Sequence, residues 1–426
     1  MSWSSRLTGT RRSSPHDSIN IASQEFKANP YLFYARLRAE APVCRIALPP
    51  YGRQAAWLVT RYDDVAAVLK DERFVKNTAN ALTPAQAARL PWFRKFFDSR
   101  TRNLLSQDPP DHMRLRALVN KAFTPRIVEG MRARIQRLAD DLLNAVQGGG
   151  RLDLIRDYAQ PLPITIISEL VGVPTADRPQ FHRWSRPVLG AARSAWALLK
   201  AGPSAMLLVR YFRKLIERRR IDPQDDLLSA LAGTEEAGDT LSDDELVNMV
   251  MILLVAGYDT TVNLIGNGTL ALLEHPDQLE KLRNDPTVIK PAVEELLRYA
   301  DRVSMATDRY AREDVTIAGV SIPRGARVYA VIGSANRDER QFPNPDVLDL
   351  TREPNKHLAF GLGAHFCVGA PLARLEGQIA IRTLLRRLPG LRLAVAPEAL
   401  RWRPELLLRG LESLPVAFGP TNRPNQ

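Results

Sequence analysis

From Ser242 to Glu274 the chain reads as one uninterrupted helix, and no other feature narrows the possible folds as much. Ser242-Asp243-Asp244-Glu245 has the form of a capping box, in which the serine oxygen accepts from the N3 amide and the glutamate reaches back. His275-Pro276 supplies the stop, because proline lacks the amide proton and its ring clashes with the turn before it. About 32 residues at 1.5 Å each give a rod of roughly 48 Å. It is apolar nearly all round from Met249 to Ala256, so it has to cross the interior with other helices packed around it. Midway come Gly257 and the polar run Asp259-Thr260-Thr261. Buried polar groups need partners or a purpose. For a threonine alone, the ordinary arrangement is a hydroxyl bonded to the carbonyl one turn earlier.

The rest of the 426 residues is 45% apolar and 25% charged, the balance of a soluble globular chain with a core large enough to enclose a cofactor. Asn29-Pro30 leads into a helical pattern over Tyr31 to Ala39. Strand-like runs follow at Pro42 to Leu48 and Ala55 to Val59, separated by the turn signal Pro49-Pro50-Tyr51-Gly52. Helix returns at Asp63 to Lys70. From Pro110 to Pro286 helical periodicity dominates, with breaks expected at Thr124-Pro125, Gly148 to Gly150, Pro161 to Pro163 and Pro174. Strand-rich patches recur at Val315 to Ile332 and from about Leu391 to Phe418. Strands at both ends around a helical middle predict one interlocked α+β domain over residues 21–420. Residues 1–20, rich in Ser and Arg, read as a disordered lead-in that is neither signal peptide nor anchor.

The formal net charge is +12, which favours an acidic partner. The basic residues are interleaved with apolar ones on helices such as Arg213 to Arg220, and no nucleic-acid motif accompanies them. Cys44 and Cys367 are the two cysteines, which excludes a disulfide scaffold and fits a reducing, cytoplasmic setting. The most apolar window, Met249 to Gly257, is too short for a bilayer, so no membrane anchor is expected.

The most specific stretch is Phe360-Gly361-Leu362-Gly363-Ala364-His365-Phe366-Cys367-Val368-Gly369, followed by a helix start at Ala370-Pro371. It delivers one sulfur to a helix N-terminus, where free amides and the helix dipole favour thiolate over thiol. The glycines let the backbone approach a flat ligand closely. Three other readings compete: a small core thiol, half of a zinc site with His365, which has no second Cys/His pair to complete it, and a hydrolytic nucleophile, for which no elbow or base is found. This loop resembles the haem-binding loop of the cytochrome P-450 family in its soluble bacterial form. Glu295-Leu296-Leu297-Arg298 is similar to the family's Glu-x-x-Arg motif. Ala256-Gly257-Tyr258-Asp259-Thr260-Thr261 resembles its oxygen-binding helix segment, and His112-Met113-Arg114-Leu115-Arg116 its His-x-x-x-Arg helix start. Arg309-Tyr310-Ala311, Ser334 to Asp338 and Phe342 to Asp346 also match, in family order, so the resemblance runs from about Asn29 to Phe418.

The resemblance implies a mainly α fold with smaller β-sheets and a long central helix over haem b. It makes Cys367 the iron ligand, whose thiolate favours O–O bond cleavage. His112, Arg116, Arg309 and His365 match positions that hold the haem propionates, a task suited to charge-assisted bonds. Ala256, Gly257, Thr260, Phe360, Gly361 and Gly369 would line the cofactor. Asp259 and Thr260 become the catalytic pair, the acid relaying protons from solvent and the alcohol standing beside bound dioxygen in a groove opened by a break at Gly257. Glu295 and Arg298 are structural, locked by a later arginine, Arg337 or Arg352. Leu90, Phe97, Leu253, Ala256, Val303 and Leu408 would line an apolar pocket for a fatty acid, terpenoid, steroid or macrolide. Electrons would come from a separate acidic ferredoxin touching Arg114, Lys121, Arg374 and Arg387, and the enzyme would be a monomer. Two rival readings remain: the same fold as a peroxide-driven peroxygenase or oxidative coupling catalyst, and a basic binding module without turnover.

Overall fold

The computed structural model describes residues 20–47, 55–88, 103–146, 150–191, 195–236 and 238–420. The expected lead-in over residues 1–19, the turn at Pro49 to Gly52 and the pocket residues Leu90 and Phe97 lie outside those ranges. In chain order, the elements that position the site begin with helix α1 (Tyr31–Glu40), strands β1 (Val43–Ala47) and β2 (Ala55–Val59), helix α2 (Tyr62–Lys70) and strand β3 (Phe74–Val75). Helices α3 (Asp111–Ala122) and α4 (Arg132–Asn144), strand β4 (Arg151–Asp153), helix α5 (Pro161–Leu170) and helix α6 (Ala195–Ile221) follow. The later part holds α7 (Asp243–Glu274), α8 (Ile289–Tyr299), β5 (Arg309–Ala311), β6 (Arg327–Ala330), α9 (Ala370–Arg387), β7 (Arg392–Leu393) and β8 (Pro415–Ala417).

Strands from the two ends of the chain do interlock. One sheet has the order β1-β2-β6-β5-β3, with β6 parallel to β2 and the other neighbours antiparallel. A second sheet joins β7, β8 and β4. Sequence patterning overstated the strand content near the C-terminus. Between Leu393 and Pro415 the only strand-like pairings among the described residues are isolated bridges, one joining Trp402 to Leu411 and one joining Leu408 back to Val303. Pro161 to Pro163 open α5 instead of breaking a helix, as proline fits the first turn where its missing amide costs no bond.

Helix α7 is 32 residues long, and both bonds of its capping box are formed. By length and composition it could cross a membrane, but it packs against α5, α8 and α9 inside the protein. Contact with α9 depends on Gly377, where a Cβ would come within 2.7 Å of the Leu264 side chain. From Val262 to Leu272 every residue of α7 is buried, whereas Val255 and Ala256 at mid-helix are exposed.

The chain just after α8 is fixed by a buried ionic cluster. Glu295 and Arg298 have fully buried side chains and make a two-pronged pair at 2.7 and 2.8 Å. Between the two expected partners the structure selects Arg352, whose Nε donates to Glu295 Oε1 at 3.1 Å. Arg337 goes elsewhere: it pairs with Asp346 at 2.7 Å and stacks on the Tyr299 ring at 3.7 Å.

Candidate functional site

Cys367 lies in the turn before α9. Its amide donates to the Phe360 carbonyl at 2.9 Å, closing the loop on itself. Gly361 and Gly363 have φ of +72° and +73°, a conformation that L side chains rarely adopt. At Gly363 a Cβ would also stand 2.8 Å from the Leu69 carbonyl, so the loop can press against the end of α2 only with glycine there. A Cβ at Gly369 would sit 3.9 Å from the Cys367 sulfur. The two cysteines differ: Cys44 is buried on β1, its thiol pushed up to about 11 by burial, and Cys367 is exposed.

Beside the loop the fold gathers cations. His112, at the start of α3, is 1% exposed, and neither ring nitrogen meets a hydrogen-bond partner among the described residues. Its ring centre lies 4.0 Å from that of His365. Arg116, one turn along α3, donates to the Phe366 carbonyl at 2.7 Å. Arg309, on β5, is buried, and burial brings its guanidinium down to about 10. Burial, then the charges of His112, Lys76, Arg309 and Arg116, push His365 down to about 2. All four sequence-derived cationic positions therefore come together. Lys76 joins them without having been foreseen: it is buried, donates to the Thr307 and Asp308 carbonyls at 3.0 Å each, and is lowered to about 7, mainly by burial. It follows the short strand β3, and nothing in its local sequence distinguishes it from a surface lysine.

On α7 the helix runs through Gly257 without interruption, contrary to the expected break. Thr260 Oγ1 donates to the Ala256 carbonyl at 2.8 Å, the back-bond one turn earlier that suits a helical threonine. Asp259 is buried and does not reach out to solvent. It pairs at 2.6 Å with Arg403, a residue the sequence reading passed over because it sits in an irregular stretch with no motif. Arg403 also donates to Asn263 Oδ1 at 2.8 Å. A second unforeseen group is Glu376 on α9, buried, hydrogen-bonded to Thr261 and pushed up to about 8 by burial.

Of the apolar positions, Leu253 and Ala256 lie on the open stretch of α7, and Val303 and Leu408 are brought together by their bridge. The expected docking cations are engaged internally. Arg114 pairs with Glu245 and Asp239, Lys121 donates to the Glu235 carbonyl, and Arg374 grips Glu294 at 2.7 and 2.8 Å. Arg387 is buried against Asp140 and Asn144, so it cannot present its charge to a partner.

The described residues fit a haem. An exposed thiol at a helix start, a cluster of basic side chains with unpartnered His112 nitrogens, and an exposed helix middle suit a flat dianionic macrocycle whose iron would be held by a thiolate. Residues 204–391 match the family model for cytochrome P450. The chain is 46% identical over 396 residues to polyketide biosynthesis cytochrome P450 PksS of Bacillus subtilis, covering 93% of this chain and 97% of that one. The solved structure of PksS superposes with a TM-score of 0.86 at 44% identity, over 94% of this chain and all of the other. Cytochrome P450 monooxygenase PikC of Streptomyces venezuelae is 45% identical over 96% of each chain. The vitamin D(3) 25-hydroxylase of Pseudonocardia autotrophica is 44% identical over 97% of this chain and 98% of its own. Sequence, fold and site thus agree that the chain belongs to the cytochrome P450 family of bacterial haem-iron monooxygenases.

Proposed function

We propose that this enzyme uses haem b, ligated through Cys367, to insert one oxygen atom of O2 into a C–H bond of a mid-sized apolar substrate, by hydroxylation or epoxidation. The observation that carries the reading is the exposed Cys367 at the start of α9 together with a cluster of basic side chains in which the buried His112 ring nitrogens have no hydrogen-bond partner among the described residues. When bound, the haem iron supplies activation of O2 and transfer of one of its atoms. Cys367 would hold the iron through its thiolate, which the helix start that follows it stabilises. His112, Arg116, Arg309 and His365 hold the two propionates, and Lys76 adds a fifth cation to that set.

On the opposite wall Thr260 acts as an acceptor. Its hydroxyl proton is committed to the Ala256 carbonyl, so its lone pairs are free to hold a proton donor beside the reacting oxygen. Asp259 passes protons toward that point when its carboxylate leaves Arg403. This acid–alcohol pair favours the reductase-driven cycle over peroxide use. Leu253, Ala256, Val303 and Leu408 orient an apolar substrate such as a steroid, terpenoid, fatty acid or macrolide, and relatives named for polyketide and vitamin D(3) chemistry support that class. Electrons come from a separate ferredoxin whose acidic face complements the net charge of +12. The enzyme works as a cytoplasmic monomer.

The ferrous carbon monoxide spectrum tests the central claim. Thiolate ligation shifts the main absorption band strongly to the red in the wild type, and Cys367→His abolishes the shift. An unshifted wild-type band would overturn the assignment.

A further inference from the structure

Arg403 is buried on the stretch that doubles back from Trp402 to Leu411, and its side-chain hydrogen bonds end on α7 or on that stretch. Its Nε donates to the Leu411 carbonyl at 3.2 Å, and its Nη2 to Asn263 Oδ1 at 2.8 Å. Nη1 faces two carboxylates at once, Asp259 Oδ1 at 2.6 Å and Glu405 Oε1 at 3.7 Å. Both acids are buried. Gly410 leaves room for the arrangement: a Cβ there would collide with Asn263 Oδ1 and stand 2.9 Å from Arg403 Nη2. Asn263, one turn after Asp259 on α7, keeps a buried Nδ2 that meets no acceptor among the described residues. None of these contacts reaches the cysteine loop, so none spans the space given to the haem.

Two anions on one guanidinium behave differently from a simple pair. When a buried pair loses one member, the other is left as an uncompensated charge, which is strongly disfavoured. An Asp259 tied to Arg403 alone would be held too firmly to leave. With Glu405 on the same nitrogen, the guanidinium keeps an anion after Asp259 turns away. Repulsion between the two carboxylates eases that departure further. The spare Asn263 donor marks the cluster as incompletely closed, unlike the one around Glu295.

We propose that Glu405 is a positioning residue for proton delivery: it holds the charge of Arg403 so that Asp259 can let go and turn toward Thr260. The inference rests on Asp259 being the proton relay. The proton moves from Asp259, and Glu405 neither gives nor takes one; it acts through Arg403.

The test uses the haem-loaded enzyme, turned over with a ferredoxin, its reductase and NADPH, with lauric acid as the apolar probe. Asp259→Asn comes first. A kinetic solvent isotope effect on NADPH consumption equal to that of the wild type would mean that Asp259 relays no proton, which overturns the underlying reading separately from Glu405. Glu405→Gln keeps the shape of the side chain and removes its charge. Its isotope effect is expected to rise about twofold, with more of the reducing equivalents lost as hydrogen peroxide, and Glu405→Asp should return both toward the wild type. A merely structural Glu405 would lower stability and leave both readouts alone. Urea unfolding followed by circular dichroism supplies the second measurement, with Asp259→Asn standing for the carboxylate that has left Arg403. Its loss of midpoint is expected to be at least about twofold larger in the Glu405→Gln background than in the wild type. If Asp259→Asn costs the same in both backgrounds, or if Glu405→Gln keeps the wild-type isotope effect, the proposal is wrong. Should the double variant fail to fold, the isotope effect of Glu405→Gln still decides it.

Discussion

Two polar clusters, around Glu295 and around His112, solve opposite problems in this molecule. Around Glu295 every charge is answered. The carboxylate takes Arg298 at 2.7 and 2.8 Å, Arg352 and the Asp349 amide on Oε1, and Asn355 on Oε2. The spare guanidinium donors go to the carbonyls of Asn336, Pro345 and Pro343. Around His112 the side chains are mostly basic and incompletely partnered, and the His112 ring nitrogens have no hydrogen-bond partner among the described residues. Lys76, Arg309 and His112 are buried with Arg116 and His365 at the edge, and the oxygens of nearby Asp108 are already held by the amides of Lys76 and Asn77. A cluster closed on itself holds the fold, whereas one left with unpartnered buried donors is built around something else. Arg298 and Arg309 are both buried, so the satisfaction of the donors is what tells a structural arginine from a binding one.

Breaking the closed cluster has the largest expected effect. Glu295→Ala leaves two buried arginines without their anion, which costs on the order of 3–5 kcal/mol. Thermal unfolding followed by circular dichroism, with and without haem, should show a large loss in both forms. A loss confined to the loaded form would move Glu295 from the scaffold to the binding site. Opening the second cluster should do the reverse. Arg309→Met removes a charge-assisted bond worth about 1.5–3 kcal/mol to an anionic ligand, so haem affinity should fall about 10- to 100-fold. The haem-free protein should be as stable as before or more so, since an uncompensated buried cation has gone. Haem transfer to an acceptor protein measures the first quantity and a melting curve the second. Equal damage to both would mean that Arg309 serves the fold.

How far these clusters could be read in the sequence follows the same division. Residues that fall in a local motif could be singled out in the sequence, the capping box from its own four residues and the rest through the family resemblance. His112 and Arg116 lie one turn apart on α3, Glu295 and Arg298 share a helix face, and the capping box at Ser242 formed as its four residues dictate. Residues whose role depends on distant chain could not be. Lys76 and Arg403 sit in irregular stretches, and each acquires its partners from segments far away in sequence. The choice between Arg337 and Arg352 stayed open for the same reason: both follow α8, and only the folded path of the intervening loop puts one of them on Glu295. The interruption expected at Gly257 failed on a local term instead, because the Thr260 hydroxyl satisfies itself within the helix and leaves α7 intact.

Glu376 is a third kind of buried group, and it sharpens the comparison through pH dependence, with little expected effect at low pH. It sits on α9 with the Thr261 side chain as its hydrogen-bond partner, and burial pushes it up from 4.5 to about 8. A carboxyl raised in the folded state binds its proton more tightly there than in the unfolded chain. Its contribution to stability is therefore complete below the unfolded value and is lost as pH rises through the folded one. Between about pH 5 and 8 the loss should run near 1 kcal/mol per pH unit. Glu376→Gln mimics the neutral acid, so it should flatten that slope while leaving stability near pH 4 unchanged. Urea unfolding at several pH values reads both. If the slope survives in the variant, the charge of Glu376 is compensated in the folded protein as the charge of Glu295 is, and it belongs with the closed cluster. If the slope goes, α9 carries a neutral acid one helix away from Thr260, held there because no cation answers it.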